Sequence, residues 1–224
     1  MKSPAWSYSS ITLFHQCPKK YYHLRVRKDI VEPKTEHLLY GEQLHKAAEE
    51  YIGSNIQLPE QFKYIEPFLA KLKAIKGQHL CEYKMGLTSS GKPCDFFAQD
   101  VWWRGIADLL IINEEEGKAM IVDYKTGRNA KYADTKQLDF LAMAVFSHFP
   151  AVQTIKSALM FVVSEDFVKK DYNKDEYLGL LRDALYLYTP LENAMTQDVW
   201  NPKPNFTCKG YCAVHTCIHN GKHE

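Results

Sequence analysis

Nothing in this chain reads as a membrane span. Its most apolar stretches, around Ala107 to Ile112 and Ala158 to Val163, fall far short of the roughly 20 residues that a spanning helix needs. The opening residues, MKSPAWSYSS, lack the apolar core of a secretory signal. Export is therefore not expected, and a cytoplasmic setting is. Internal repeats and low-complexity linkers are missing too. Charge of one sign is also missing: the net charge is +1, which by itself does not point to a polyanionic partner. Six cysteines are present, and in a reducing compartment those that cluster read as ligands of a metal or an iron–sulfur centre rather than as disulfides.

What is present is the composition of a globular protein. Hydrophobic residues make up 46% and charged residues 25% of 224 positions, enough for one domain with a helical elaboration. The charge is unevenly spread. Residues 1–30 hold Lys2, Lys19, Lys20, Arg25, Arg27 and Lys28 against Asp29 alone. Such an arm can meet phosphates, and it can equally be a solvated helix face.

Helical patterns lead. Ser7 to Arg27 carries Ile11, Phe14, Tyr21 and Leu24 in a broken apolar stripe, with Ser9 or Ser10 as cap and a break or kink at Pro18. Glu36 to Ile52 has Leu44, Ala47, Ala48 and Tyr51 at helical spacing, ended by Gly53 and Ser54. Pro59 to Lys76 is a third helical segment. Strand patterns follow at Leu80 to Leu87, within Phe96 to Ile112, at Ala119 to Tyr124 and at Ile155 to Val163, with Phe167 to Tyr172 as a pairing partner. Turns fall at Thr88 to Pro93 and Asn113 to Lys118. Helices are expected over Asp134 to Phe149 and Asp175 to Asp198. The class is α/β or α+β, a small mixed sheet flanked by helices with a C-terminal cysteine cluster. One domain over 1–224 is expected: a helical part over 1–78, a sheet core over 79–165, and a helix with the cysteines over 166–224.

The informative segment is GIADLLIINEEEGKAMIVDYKTG, Gly105 to Gly127. Asp108 lies within one strand and Asp123 at the end of the next. A short hairpin makes the two strands neighbours, so two carboxylates converge. Lys125 follows Asp123 by two residues, which in extended chain puts both on one face and turns Tyr124 away. Each carboxylate interrupts or ends an apolar run, where a bare charge is costly without a compensating partner. A hard divalent cation is one such partner. It polarises a phosphoryl oxygen and activates water, while an ammonium steadies charge on the phosphate. The pattern suits metal-assisted phosphodiester hydrolysis, although an isolated D-x-K is also common on ordinary surface hairpins.

GIADLL and VDYKTG resemble the second and third motifs of the RecB-like, CRISPR-associated-exonuclease-like branch of the PD-(D/E)XK nucleases. GEQLH, Gly41 to His45, resembles the helix that brings an additional metal-ligating histidine. Gln137 resembles the glutamine motif, and SYSSITLFHQCPKKYY the N-terminal helix. The resemblance implies that His45, Asp108, Asp123 and the carbonyl of Tyr124 bind Mg²⁺ or Mn²⁺. It makes Lys125 the catalytic lysine, with Gln137 orienting it or the phosphate. Glu82 is expected as a supporting carboxylate. One departure stands out: where the glutamine motif often has a tyrosine four residues on, this chain has Leu141. Either Phe140 takes over part of that role or the DNA contact differs.

Cys208, Cys212 and Cys217 lie within ten residues, and Cys17 precedes Pro18 far upstream. The resemblance implies a 4Fe–4S cluster on these four thiolates, tying the chain ends. His215 and His219 beside them keep a Zn²⁺ site open. Cys81 and Cys94 read as packed thiols. Arg104, Arg128, Lys131 and Lys136 surround the motifs in sequence and are candidate phosphate contacts. Tyr124, Trp102 and Trp103 are candidate stacking residues, with one tryptophan buried and one exposed. The expected activity is a metal-dependent DNA exonuclease acting on single or double strands with free ends, with a homo-oligomer conceivable. The competing readings are a structure-specific endonuclease, an RNA nuclease and a non-catalytic DNA-binding scaffold.

Overall fold

The computed structural model describes residues 5–222, the side chain of Tyr132 excepted. Lys2 of the basic arm lies outside them. The chain forms two compact units, one of residues 1–34 and 182–224, the other of residues 35–181.

In the first unit, α1 spans Tyr8–Gln16 and α2 Pro18–Tyr21, and a π-helical turn covers Tyr22–Arg27. The cap of α1 is Ser7, not Ser9 or Ser10. Its hydroxyl accepts from Ser10 N, and Ser10 Oγ accepts from Ser7 N in return, so two orphan amides are satisfied at once. The expected break at Pro18 is real: Cys17 is extended and Pro18 opens α2, where a missing N–H costs nothing.

The second unit starts with α3, Glu36–Ser54. Gly53 and Ser54 lie inside this helix, and Asn55, in the left-handed conformation, ends it. A 3-10 turn over Glu60–Ile65 runs into α4, Glu66–Lys73. The sheet strands are β1 (Gln78–Leu87), β2 (Pro93–Cys94), β3 (Trp103–Asn113), β4 (Lys118–Lys125), β5 (Thr154–Phe161) and β6 (Asp166–Asn173). Helix α5, Lys136–His148, lies between β4 and β5 in the chain. The six strands are ordered β2-β1-β3-β4-β5-β6. Only β4 and β5 are parallel, and a parallel pair needs a crossover such as α5. A last helix, α6 (Tyr177–Gln197), carries Pro190 inside it, and residues 177–181 of it belong to this unit.

One face of the sheet packs on α3 and α4. Leu109, Ile111, Val122, Tyr124, Met160 and Val162 form a core with Leu44, Ala47, Ala48, Phe62 and Leu69. The other face meets α5, which is buried along most of its length. The alternation along β1 and β3 changes phase where the two strands pass Glu82 and Asp108. Cys81 packs with the α3 core, yet Tyr83 meets the ring of Phe149 at the end of α5. On β3, Leu109 belongs to the α3 core, yet the Cα of Gly105 faces Leu141 of α5. In an unbroken strand residues two apart share a face. The break is made by Glu82, whose φ of 47° is left-handed and rare for a non-glycine residue. The pairs on either side of it, Cys81 with Leu109 and Tyr83 with Ala107, keep one register.

Segment 95–102 is not a strand. Asp95 turns the chain, its carboxylate accepting from Phe97 N at 2.8 Å. Both tryptophans are buried, Trp102 at 8% and Trp103 at 1% exposure, so neither stacks on a ligand, contrary to the expectation of one exposed ring.

Candidate active site

The site lies at the phase break. β3 carries Asp108, β4 ends on Asp123-Tyr124-Lys125, α3 supplies His45, β1 supplies Glu82, and the first turn of α5 supplies Gln137. An open cleft of about 600 Å³ runs over it, lined by His45, Glu82, Tyr124 and Lys125 with Glu42 and Glu49.

Asp123 and Lys125 share a face, as their spacing requires. Lys125 Nζ stands 2.6 Å from Asp123 Oδ2. Gln137 joins the two: its Oε1 accepts from Lys125 Nζ at 2.8 Å, and its Nε2 donates to Asp123 Oδ1 at 2.5 Å. Tyr124 turns the other way, and its ring is buried in the α3 core. Its backbone stays in the site, where its N–H donates to Asp108 Oδ2 at 2.7 Å.

His45 faces this backbone from α3. Its Nε2 lies 3.1 Å from the Tyr124 carbonyl, its Nδ1 3.4 Å from Asp108 Oδ1 and 3.9 Å from Glu82 Oε1. Ligand atoms of His45, Glu82 and Asp108 all lie within 4.8 Å of one another. Glu82, expected only as a supporting carboxylate, is thus among the close donors. No sequence pattern marks it, because its inward position depends on its left-handed backbone.

The electrostatics fit a cation. Burial and then the Asp108 charge push Asp123 up to about 6, against the pull of Lys125 and His45. Burial and Asp108 likewise raise Glu82. For His45, burial acts downward, but Asp108, Asp123 and Glu82 together outweigh it and raise the imidazole. The Asp108 charge thus helps raise both Asp123 and Glu82. A divalent ion relieves that repulsion, and the carboxylate-rich set suits Mg²⁺ or Mn²⁺.

The expected phosphate contacts are placed unevenly. Lys136 adjoins Gln137 at the start of α5, and Arg128 and Lys131 lie on the segment between β4 and α5, all three exposed. Arg104 is half-buried on β3. Phe140 and Leu141 are both buried in α5, so Phe140 does not stand in for the missing tyrosine.

In the first unit Cys17, Cys208, Cys212 and Cys217 line one small cavity with His219 and Asn220. Cys17 Sγ accepts from Lys203 N and Cys208 Sγ from Asn205 N, both at 3.4 Å. The thiols are not drawn into a tight ligand cluster: among the described residues only His45, Glu82 and Asp108 come within 4.8 Å as a group.

The chain belongs to the PD-(D/E)XK nuclease superfamily, whose family profile matches residues 5–75 and 62–217. Among solved structures it resembles a protein from Eubacterium rectale described as a "Putative exonuclease". The two share 16% identity over 96% of this chain and 88% of that one, with a TM-score of 0.54. The likeness to SSO0001 is weaker: 15% identity over 99% of this chain and 88% of that one, at a TM-score of 0.46. No curated protein matches the chain. Among the described residues no helix is long and apolar enough to cross a membrane.

Proposed function

We propose that this protein is a metal-dependent DNA exonuclease of the RecB-like branch of its superfamily, a single nuclease domain working in the cytoplasm. The observation that carries the reading is the close set of His45, Glu82 and Asp108 beside the Tyr124 carbonyl, with Asp123 paired to Lys125 on the neighbouring strand. The likeness to the Eubacterium rectale protein described as a "Putative exonuclease" is in keeping with it. His45, Asp108, Asp123 and the Tyr124 carbonyl would hold Mg²⁺ or Mn²⁺, with Glu82 beside them. The bound ion supplies Lewis acidity toward a phosphoryl oxygen and a lowered pKa for water. Lys125 faces the scissile phosphate and stabilises its developing charge. Gln137 is a positioning residue that holds Lys125 and Asp123 in register. Arg128, Lys131 and Lys136 neutralise flanking phosphates.

The test uses linear and covalently closed DNA with Mg²⁺, Mn²⁺ or EDTA, and Lys125→Ala alongside. Degradation of the linear form alone, abolished by EDTA and by the substitution, is expected. Cutting of the closed circle moves the reading to an endonuclease. Absence of cutting by folded, metal-replete protein removes the DNA-cleaving reading and leaves a DNA-binding scaffold or an RNA nuclease.

For the cysteine cavity we propose a 4Fe–4S cluster on Cys17, Cys208, Cys212 and Cys217. What supports it is the lining of one small cavity by all four cysteines, although their thiols are not gathered into a group within 4.8 Å. Backbone N–H groups already point at two of the sulfurs, an arrangement that tunes such clusters. Anaerobic purification followed by iron, sulfide and zinc assay decides between the cluster and a Zn²⁺ site. Stoichiometric zinc without sulfide would replace the cluster.

A further inference from the structure

A second group of side chains lies on the same sheet, outside the metal-facing set. On β3, Arg104 and Ile106 alternate with Gly105, which faces α5, so both point to the opposite side. Lys84 on β1 does the same relative to Tyr83. This is the side from which α3 brings His45 to Asp108. Helix α3 stops short of this stretch: Lys84 is exposed and Ile106 is 36% exposed.

Two phenylalanines stand over the stretch. Phe96 and Phe97 meet edge to face, centroids 5.0 Å apart at 79°. Arg104 lies 5.5 Å and Lys84 5.9 Å from the Phe96 ring, and Lys84 lies 6.0 Å from Phe97. Phe97 is 72% exposed. Its backbone is fixed by Asp95, whose carboxylate is occupied with Phe97 N. An isolated exposed phenylalanine means little. Here the exposed ring has Lys84 beside it, is propped by a second ring that Arg104 and Lys84 approach, and is held on an ordered turn. Exposed aromatics interleaved with cations make the surface on which unpaired bases stack while cations track the backbone. Inside a duplex the bases are already stacked on one another, so such a ring favours unpaired bases.

We infer that Phe97, propped by Phe96 and flanked by Lys84 and Arg104, is a stacking platform for an unpaired base, making single-stranded DNA the substrate class of the neighbouring site. The inference rests on the nuclease reading above. Arg104 precedes Asp108 by four residues, or about 13 Å of strand, a distance that a few nucleotides of extended strand cover. The scissile phosphate would lie at Asp108 and Lys125 while a base several positions away rests on Phe97.

The test is fluorescence anisotropy with a labelled 15-residue oligothymidylate, the same oligonucleotide bearing abasic sites, and a duplex of equal length. Ca²⁺ replaces Mg²⁺ to hold back cleavage. The proteins are the native chain, Phe97→Leu and Phe97→Trp. Leucine keeps an apolar side chain without a π face, and tryptophan keeps the face. Native protein is expected to prefer the single strand. Phe97→Leu weakens that binding about tenfold, within the range of one base–aromatic stack, and Phe97→Trp restores it. On the abasic strand all three proteins bind alike. Equal affinity of Phe97→Leu and native protein for oligothymidylate overturns the platform, as does an equal loss on all three nucleic acids. Cleavage assays of the same proteins in Mg²⁺ or Mn²⁺ separate the two claims. Cleavage with binding indifferent to Phe97 sinks the platform alone. Phe97-dependent binding without cleavage sinks the nuclease reading alone.

Discussion

Lys125 Nζ stands 2.6 Å from Asp123 Oδ2, two residues back on the same strand. Asp123 is buried, so this ammonium and the Gln137 amide stabilise a carboxylate that burial and Asp108 would otherwise protonate. Lys125→Ala is expected to lower kcat about 10²- to 10³-fold with little change in KM for DNA, read from steady-state cleavage of a labelled oligonucleotide. An effect confined to KM would make Lys125 a binding residue instead.

Gln137→Ala removes one hydrogen bond from each of Lys125 and Asp123, which still pair with each other. One buried hydrogen bond to a charged group contributes roughly 1.5–3 kcal/mol, so chemical denaturation should show a loss of that order. Activity should fall less than in Lys125→Ala, because the ammonium remains. Equal losses of activity in the two variants would promote Gln137 from a positioning to a catalytic residue.

Metal-free protein should lose stability as pH rises. Asp123 is raised in the fold, so the fold favours its neutral form. That contribution is fully present below the unfolded value near 3.8 and is lost as pH passes about 6. His45 is also raised, by its carboxylate neighbours, so its contribution is present below 6.5 and is lost above its folded value. A divalent cation takes over both roles. Mg²⁺ or Mn²⁺ should therefore raise Tm more at pH 8 than at pH 5 in differential scanning fluorimetry, and Asp123→Asn should shrink that difference. A cation effect independent of pH would argue against ion binding at these carboxylates.

Glu82 holds a left-handed backbone within a strand, a conformation that costs an L-residue about 1–2 kcal/mol. Glu82→Gly should therefore be more stable than Glu82→Ala by about 1 kcal/mol, although both remove the same carboxylate. Both should weaken Mn²⁺ binding equally by calorimetry. Identical stability of the two variants would mean that the backbone relaxes at this position.

Much of this site was legible in the sequence because it rests on period-two alternation. Asp123 and Lys125 are two apart on a regular strand, and a short hairpin brings β3 beside β4, so the nearness of Asp108 to the end of β4, where it accepts from Tyr124 N, followed from spacing. The exceptions are places where alternation stops. Trp102 and Trp103 looked like opposite faces of one strand, but β3 begins at Trp103. Trp102 belongs to the approach, donating its N–H to Leu87 O, and both rings are buried. Phe96 and Phe97 looked like strand residues, and the Asp95 turn instead leaves Phe97 in solvent. Glu82 was expected only as a supporting carboxylate, and its place among the close donors was not legible, since a left-handed residue in a strand has no pattern of its own.

The change of phase at Glu82 and Asp108 also bears on how this protein can vary. Upstream and downstream of the site, β3 sends residues of the same parity into different helix layers. The two cores meet only at a seam, and the acidic centre lies on it. Truncations such as Leu44→Ala on one side and Leu141→Ala on the other should then add in free energy, as distant sites do. A substitution within one layer is then felt by that layer alone, whereas a change at the charged seam reaches both.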